Sequence, residues 1–110
     1  MLANPSTVYR EIPFILAIAP DELVKGVSVA GPADRPLLRG IIDALIVEDS
    51  QATIVDFKTD RVTGPQLLQR AQSYRWQMQM YSRAVQDILG WPVTRKILYF
   101  LSLRELITLD

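Results

Sequence analysis

Leu38-Arg39-Gly40-Ile41-Ile42-Asp43-Ala44-Leu45-Ile46-Val47, then Glu48-Asp49-Ser50-Gln51, then Ala52-Thr53-Ile54-Val55-Asp56-Phe57-Lys58-Thr59-Asp60-Arg61, is the stretch on which the reading of the fold turns. Two apolar runs rich in β-branched residues flank a short polar break, which is the signature of a β-hairpin. Taking Glu48 to Gln51 as a four-residue loop pairs Val47 with Ala52, so paired positions sum to 99 and Asp43 falls opposite Asp56. Alternation along a strand puts Asp56 and Lys58 on one face, and Asp43 shares it. Directly opposed residues have Cβ atoms about 4.5–5.5 Å apart, and like charges there are destabilising. Either something positive sits between the aspartates, or one of them takes up a proton. A divalent cation suits the pair, since Mg²⁺ accepts a small number of carboxylates and completes its shell with water. A surface hairpin with its acids in solvent is the alternative. Ile41, Leu45 and Ile54, expected on the same face, argue against full exposure.

Working outward, the upstream segment Val8 to Ala19 reads as a strand. Pro13 inside it favours an edge or a bulge. Met1 to Thr7 is polar and irregular, Pro20 to Lys25 a polar turn, Val27 to Ala30 either a short strand or loop, and Gly31 to Pro36 a loop of turn formers. Downstream, Pro65 suits the first turn of a helix. Apolar residues then recur at Leu67, Ala71, Tyr74, Met78, Tyr81, Val85 and Ile88, in alternating steps of four and three. That spacing predicts one long amphipathic helix, stopped by Gly90 and Pro92. Trp76 and Met80 project opposite the apolar stripe and suggest a covered surface. Thr94 to Leu101 reads as a strand, Ser102 to Arg104 as a turn and Glu105 to Leu109 as a last strand. The order strand, hairpin, helix, strand, strand predicts an α/β (α+β) domain, a mixed β-sheet with one long helix packed on it.

Composition narrows the chemistry. The 110 residues suffice for one domain with a modest core, and 49% of them are hydrophobic. No run of eighteen apolar residues exists, so no membrane helix is expected. Met1 to Arg10 lacks the basic start and apolar core of a signal peptide. With no cysteine, disulfides, zinc knuckles and iron–sulfur clusters are excluded. Histidine is absent as well. Formal net charge is zero and the sequence pI is near 6.2, whereas a free-standing DNA-binding domain is usually basic.

Gly40-Ile41-Ile42-Asp43, followed thirteen positions later by Asp56-Phe57-Lys58, resembles the PD-(D/E)XK nuclease signature. Asp56-Phe57-Lys58-Thr59-Asp60 is similar to the form found in RecB/AddA-type nuclease domains of bacterial helicase–nucleases. Tyr74-Arg75-Trp76-Gln77-Met78-Gln79-Met80-Tyr81 resembles the Gln-x-x-x-Tyr helix that follows the Asp-x-Lys strand in that group. Arg10-Glu11-Ile12-Pro13-Phe14 resembles the segment in which a strand glutamate adds a carboxylate to the metal site. The resemblance covers roughly residues 8 to 101.

It implies a restriction-endonuclease-like core whose first helix, normally ahead of the first strand, is absent here, together with the metal-ligating histidine that helix usually carries. The chain is therefore expected to be a C-terminal part of a larger cytoplasmic nuclease. The resemblance implies an Mg²⁺-dependent DNA exonuclease, with Mn²⁺ as a possible substitute, in an ATP-dependent helicase–nuclease of double-strand break repair. Asp43, Asp56, the backbone carbonyl of Phe57 and Glu11, directly or through water, would hold the metal. Calcium would fit the same oxygens without supporting turnover. Lys58 would orient the attacking water and stabilise phosphoryl charge. Gln77, Tyr81 and Arg70, on one flank of the helix stripe, would position the DNA strand; core and boundary roles for Tyr81 and Gln77 remain the alternative. Arg39, Lys58, Arg61, Arg70 and Arg75 form either a local positive rim or scattered surface charge. The expected partners are DNA, the helicase part of the same polypeptide and a partner subunit, with no membrane, and the chain alone is expected to self-associate. A non-catalytic scaffold or DNA-binding module that keeps the nuclease fold is the second reading.

Overall fold

The computed structural model describes residues 6–22, 30–32 and 35–109. Its elements are β1 (Thr7–Ala17), a 3₁₀ turn (Pro20–Glu22), β2 (Leu37–Glu48), β3 (Gln51–Lys58), α1 (Gly64–Ser73), α2 (Arg75–Ala84), a π-helical turn (Val85–Leu89), β4 (Val93–Phe100) and β5 (Glu105–Leu109). The strands form one five-stranded sheet in the order β1-β2-β3-β4-β5. Only β3 and β4 run parallel, and the helices make the crossover between them, as parallel neighbours require. The fold is therefore the mixed α+β arrangement expected. Pro13 lies on the edge strand, where a missing N–H is tolerated. Of the possible strand Val27 to Ala30, only Ala30 is among the described residues, bridging to Leu37.

The hairpin register is the one read from the pattern. Ala44 pairs with Val55, Leu45 with Ile54 and Val47 with Ala52. The connection is tighter than expected, because Glu48 and Gln51 also pair. The loop is Asp49-Ser50 alone, with φ of 50° and 62°. Two consecutive left-handed residues match the right-handed twist of the flanking strands.

Strict alternation in β2 does not survive. Ile42 and Leu45 are both buried, at 1% and 0% exposure, while Ile41 is exposed. Ile41 therefore does not share the buried face expected for it. The slip falls at Asp43, where the β1–β2 ladder pairs Arg10 with Ala44 and Ile12 with Ile42 but skips the Glu11–Asp43 position. Glu11 takes φ of 52° there, in the middle of a strand.

The predicted single helix is broken. Tyr74 sits between α1 and α2 with φ −97° and ψ 1°, far from the helical ψ of about −42°. Leu67, Ala71, Met78, Tyr81 and Val85 are buried as the stripe predicts, but Met80 is buried too, at 8% exposure, and Trp76 is half-buried against the core. The face assigned to Trp76 and Met80 is thus partly core. Ile88, expected at the end of the stripe, is exposed. Gly90 terminates the helix at φ 80°, and its N–H is taken up by the carbonyls of Val85 and Gln86.

The core lies between the sheet and the helices. Leu45, Ile54, Met78, Val85, Leu98 and Phe100 are fully buried there. A Cβ on Gly40 would stand 2.6 Å from Phe14 Cε1 and Cζ and 3.1 Å from Tyr81 Cε1. Glycine at this position lets the helix and the edge strand close over β2.

Candidate active site

β2 and β3 stop pairing at Ala44 and Val55, one residue short of Asp43 and Asp56. The Asp43 side chain takes over the acceptor role the ladder leaves open. The backbone N–H of Phe57 donates to Asp43 Oδ2 at 2.9 Å. This pins Asp43 against the strand that carries Asp56 and Lys58. β3 goes on pairing with β4 through Asp56–Leu98 and Lys58–Phe100, so the two polar side chains are held from the far side of the strand.

Asp56 is 4% exposed. The ammonium of Lys58 stands 2.5 Å from its Oδ2. That oxygen is buried, so the ion pair is shielded from water. Burial, then the adjacent Asp43 carboxylate, push the Asp56 carboxyl up to about 6 despite the opposing pull of Lys58. Two acids and one lysine therefore form a site that disfavours a second negative charge.

Lys58 is fixed by more than its neighbour on the strand. Its Nζ donates to Gln77 Oε1 at 2.7 Å and lies 3.8 Å over the centroid of the Tyr74 ring. Gln77 Nε2 in turn donates to Tyr81 Oη at 3.1 Å. Tyr81 packs edge-on against Phe14, with centroids 5.3 Å apart. Burial, followed by the charges of Asp56 and Asp43, pushes its hydroxyl up to about 12. Tyr81 is thus both a core residue and a neighbour of the aspartates, and Gln77 links it to the lysine.

The remaining candidates lie apart. Glu11 stands at the register position facing Asp43, exposed and in a left-handed backbone. Among the described residues no three acidic, histidine or cysteine side chains gather as metal ligands, so Glu11 does not join the aspartates. Arg70 is paired with Asp60 at 2.6 Å, and Arg75 donates to Gln72 Oε1. Arg39 and Arg61 make no ion pair among the described residues. Of the five expected rim cations, Lys58 alone is in the core of the site.

The fit of a divalent cation rests on the donor set itself. Two adjacent carboxylates, one of them buried and with its carboxyl raised by burial and by the other, offer hard oxygen donors where added positive charge is favoured. Asp43 and Asp56 fit such an ion. The carbonyl of Phe57 belongs to the residue whose N–H Asp43 already holds.

Sequence reasoning missed Tyr74 and Asp60. Tyr74 Oη donates to Asp60 Oδ1 and Oδ2 at 2.9 and 2.7 Å while its ring lies beneath Lys58. Tyr74 counted only as a member of the apolar stripe, and no sequence signal places a helix break there. Asp60, two residues after Lys58 in the quoted motif, was the available clue.

Comparison with known proteins gives consistent matches. The profile of the PD-(D/E)XK nuclease superfamily matches residues 4–106. An ATP-dependent helicase/nuclease subunit of Carboxydothermus hydrogenoformans is 41% identical over 98 residues, covering 89% of this chain and 8% of its own length. Its namesake from Ligilactobacillus salivarius is 37% identical over 110 residues, covering 99% of this chain and again 8% of its own. For the namesake from Lacticaseibacillus casei the identity is 33% over 101 residues, with 92% and 8% covered. The chain thus spans a small part of the length of these relatives.

Proposed function

Because this chain belongs to the PD-(D/E)XK nuclease superfamily, we propose that it forms the catalytic centre of a metal-dependent DNA exonuclease within an ATP-dependent helicase–nuclease acting in double-strand break repair. The observation that carries this reading is the Asp43–Asp56–Lys58–Gln77 constellation, with Lys58 Nζ 2.5 Å from Asp56 and 2.7 Å from Gln77. The resemblance to relatives named as helicase/nuclease subunits supports the larger setting, including DNA as substrate, a helicase in the same polypeptide and a partner subunit.

Asp43 and Asp56, with the Phe57 carbonyl, would hold Mg²⁺ or Mn²⁺. Such an ion supplies Lewis-acid polarisation of the scissile phosphate and lowers the pKa of water. The chain's own residues do the rest. Lys58, oriented by Asp56 and Gln77, stabilises negative charge developing on the phosphoryl oxygens and orients the attacking water. Gln77 transmits the position of Tyr81 to that lysine. Glu11, exposed on the strand facing Asp43, would contribute to such an ion only through water.

The test is cleavage of linear DNA in Mg²⁺ by wild type and Lys58→Ala within the complete polypeptide the reading calls for. A charge-stabilising group of this kind typically contributes on the order of 10²–10³ in rate. Cleavage by Lys58→Ala within a few-fold of wild type would remove the assigned role and favour a scaffold.

A further inference from the structure

Lys58 has three N–H donors and no acceptor. Asp56 and Gln77 account for two contacts of its ammonium, and the ring of Tyr74 lies 3.8 Å away as a third. The Tyr74 ring is itself anchored. Its hydroxyl donates to both oxygens of Asp60, and Arg70 Nη1 donates to Asp60 Oδ2 at 2.6 Å. Ser102 Oγ donates to the Asp60 carbonyl at 2.7 Å, tying the end of β3 to the turn after β4. Tyr74, Asp60, Arg70 and Ser102 are not themselves the Asp-x-Lys or Gln-x-x-x-Tyr residues, yet they bear on the lysine of the first.

The backbone supports the same conclusion. Tyr74 occupies the interruption between α1 and α2 at φ −97°, ψ 1°, the sparsely allowed bridge region where active-site residues recur. The helix thus gives up regular geometry at the residue whose side chain meets both Lys58 and Asp60. Burial, followed by the Asp60 carboxylate, raises the Tyr74 hydroxyl above its ordinary range, so it stays a donor at neutral pH.

We infer that Tyr74 is a positioning residue for Lys58: its ring, clamped through the hydroxyl by the Asp60–Arg70 pair, holds the ammonium against Asp56 and Gln77 in the geometry the reaction uses. The inference rests on the nuclease reading for its consequence in catalysis, but the contact is measurable without it. A cation over an aromatic face is attracted by the ring quadrupole, and its neighbouring methylene protons lie in the shielding zone of the ring.

The experiment is ¹³C-lysine NMR on this chain, which contains three lysines, Lys25, Lys58 and Lys96. Lys58→Arg assigns the Lys58 resonance. The Cε protons of Lys58 are expected upfield of those of Lys25 and Lys96 in wild type. The displacement is lost in Tyr74→Leu and largely retained in Tyr74→Phe, which keeps the ring. Wild-type Lys58 protons at the position of the other two lysines overturn the inference, and that result needs no variant to fold. In the cleavage assay, Tyr74→Leu is expected to lower kcat by about ten-fold with KM little changed, and Tyr74→Phe to recover most of it. If Lys58→Ala abolishes cleavage while Tyr74→Leu does not change kcat, positioning by Tyr74 fails and the nuclease reading stands. If Lys58→Ala leaves cleavage intact while the upfield displacement is present, the nuclease role of the lysine fails and the contact stands.

Discussion

Asp56→Asn in the metal-free chain should abolish an unusual pH dependence of stability. The Asp56 carboxyl is raised from an ordinary 3.8 to about 6, with burial as the main cause and Asp43 the next. Below pH 3.8 the group is protonated folded and unfolded, and contributes no difference. Between 3.8 and 6 the unfolded chain releases the proton and the folded chain keeps it, so stability falls as pH rises. Above pH 6 both states are ionised and the loss is complete. At about 1.4 kcal/mol for each pH unit between the two values, the full loss is about 3 kcal/mol. Roughly 2 kcal/mol of it falls between pH 4.5 and 7. That corresponds to a drop in Tm of roughly 10 °C for a domain of this size. The window is clean, because the chain has no histidine. Asp60 and Glu22 are both lowered, so their stabilisation is present above their unfolded values and is lost only as pH falls further. Tyr81 titrates far above it. The assay is urea unfolding followed by circular dichroism in EDTA, at pH 4.5 and 7, for wild type and Asp56→Asn. Wild type should be the less stable at pH 7 and the variant nearly flat. Equal wild-type stability at both pH values, with no gain from Asp56→Asn at pH 7, refutes a buried, destabilised carboxylate.

Calorimetry with Mn²⁺ or Mg²⁺ should show a single site in wild type that is lost in Asp56→Ala and kept in Lys58→Ala; equal binding by wild type and Asp56→Ala removes the metal site. Gly40→Ala forces a methyl group to within 2.6 Å of the Phe14 ring, so it should cost about 1–3 kcal/mol in unfolding free energy, and an unchanged denaturation midpoint would contradict the close packing there. The chain by itself should melt cooperatively, self-associate in sedimentation or light scattering and cleave linear DNA poorly in Mg²⁺; robust cleavage by a monomer would show that the constellation is self-sufficient.

The hairpin was legible because two local rules agree there. β-branched runs around a polar break set the strands, and the period of two sets the register, so Asp43 opposite Asp56 follows from counting. The helix stripe was legible for Leu67, Ala71, Met78, Tyr81 and Val85 because the sheet imposes one buried face. Met80, Trp76 and Ile88 were misplaced because a projection at constant angle carries no information about an interruption. At the break, Tyr74 contacts Lys58 and Asp60, residues that precede it by 16 and 14 positions. Such a contact belongs to tertiary structure and has no local sequence cost to betray it.

Three irregularities lie around the aspartates and the lysine. Glu11 adopts a left-handed backbone opposite Asp43, the β2–β3 ladder ends one residue before the two aspartates, and the helix breaks where Tyr74 meets Lys58. Each departure from regular geometry costs on the order of 1–3 kcal/mol unless neighbouring contacts hold it. Two of them are accompanied by a polar contact that regular geometry would not allow: Asp43 on the Phe57 N–H, and Tyr74 on both Lys58 and Asp60. The ionised form of Asp56 adds its own destabilisation in the absence of a cation. A sequence selected for stability alone would place valine or isoleucine at 43 and 56 and leave the helix unbroken. The same residues that weaken the fold are those that favour an added positive charge at its centre, so a divalent ion held there as proposed would stabilise the chain through one carboxylate pair.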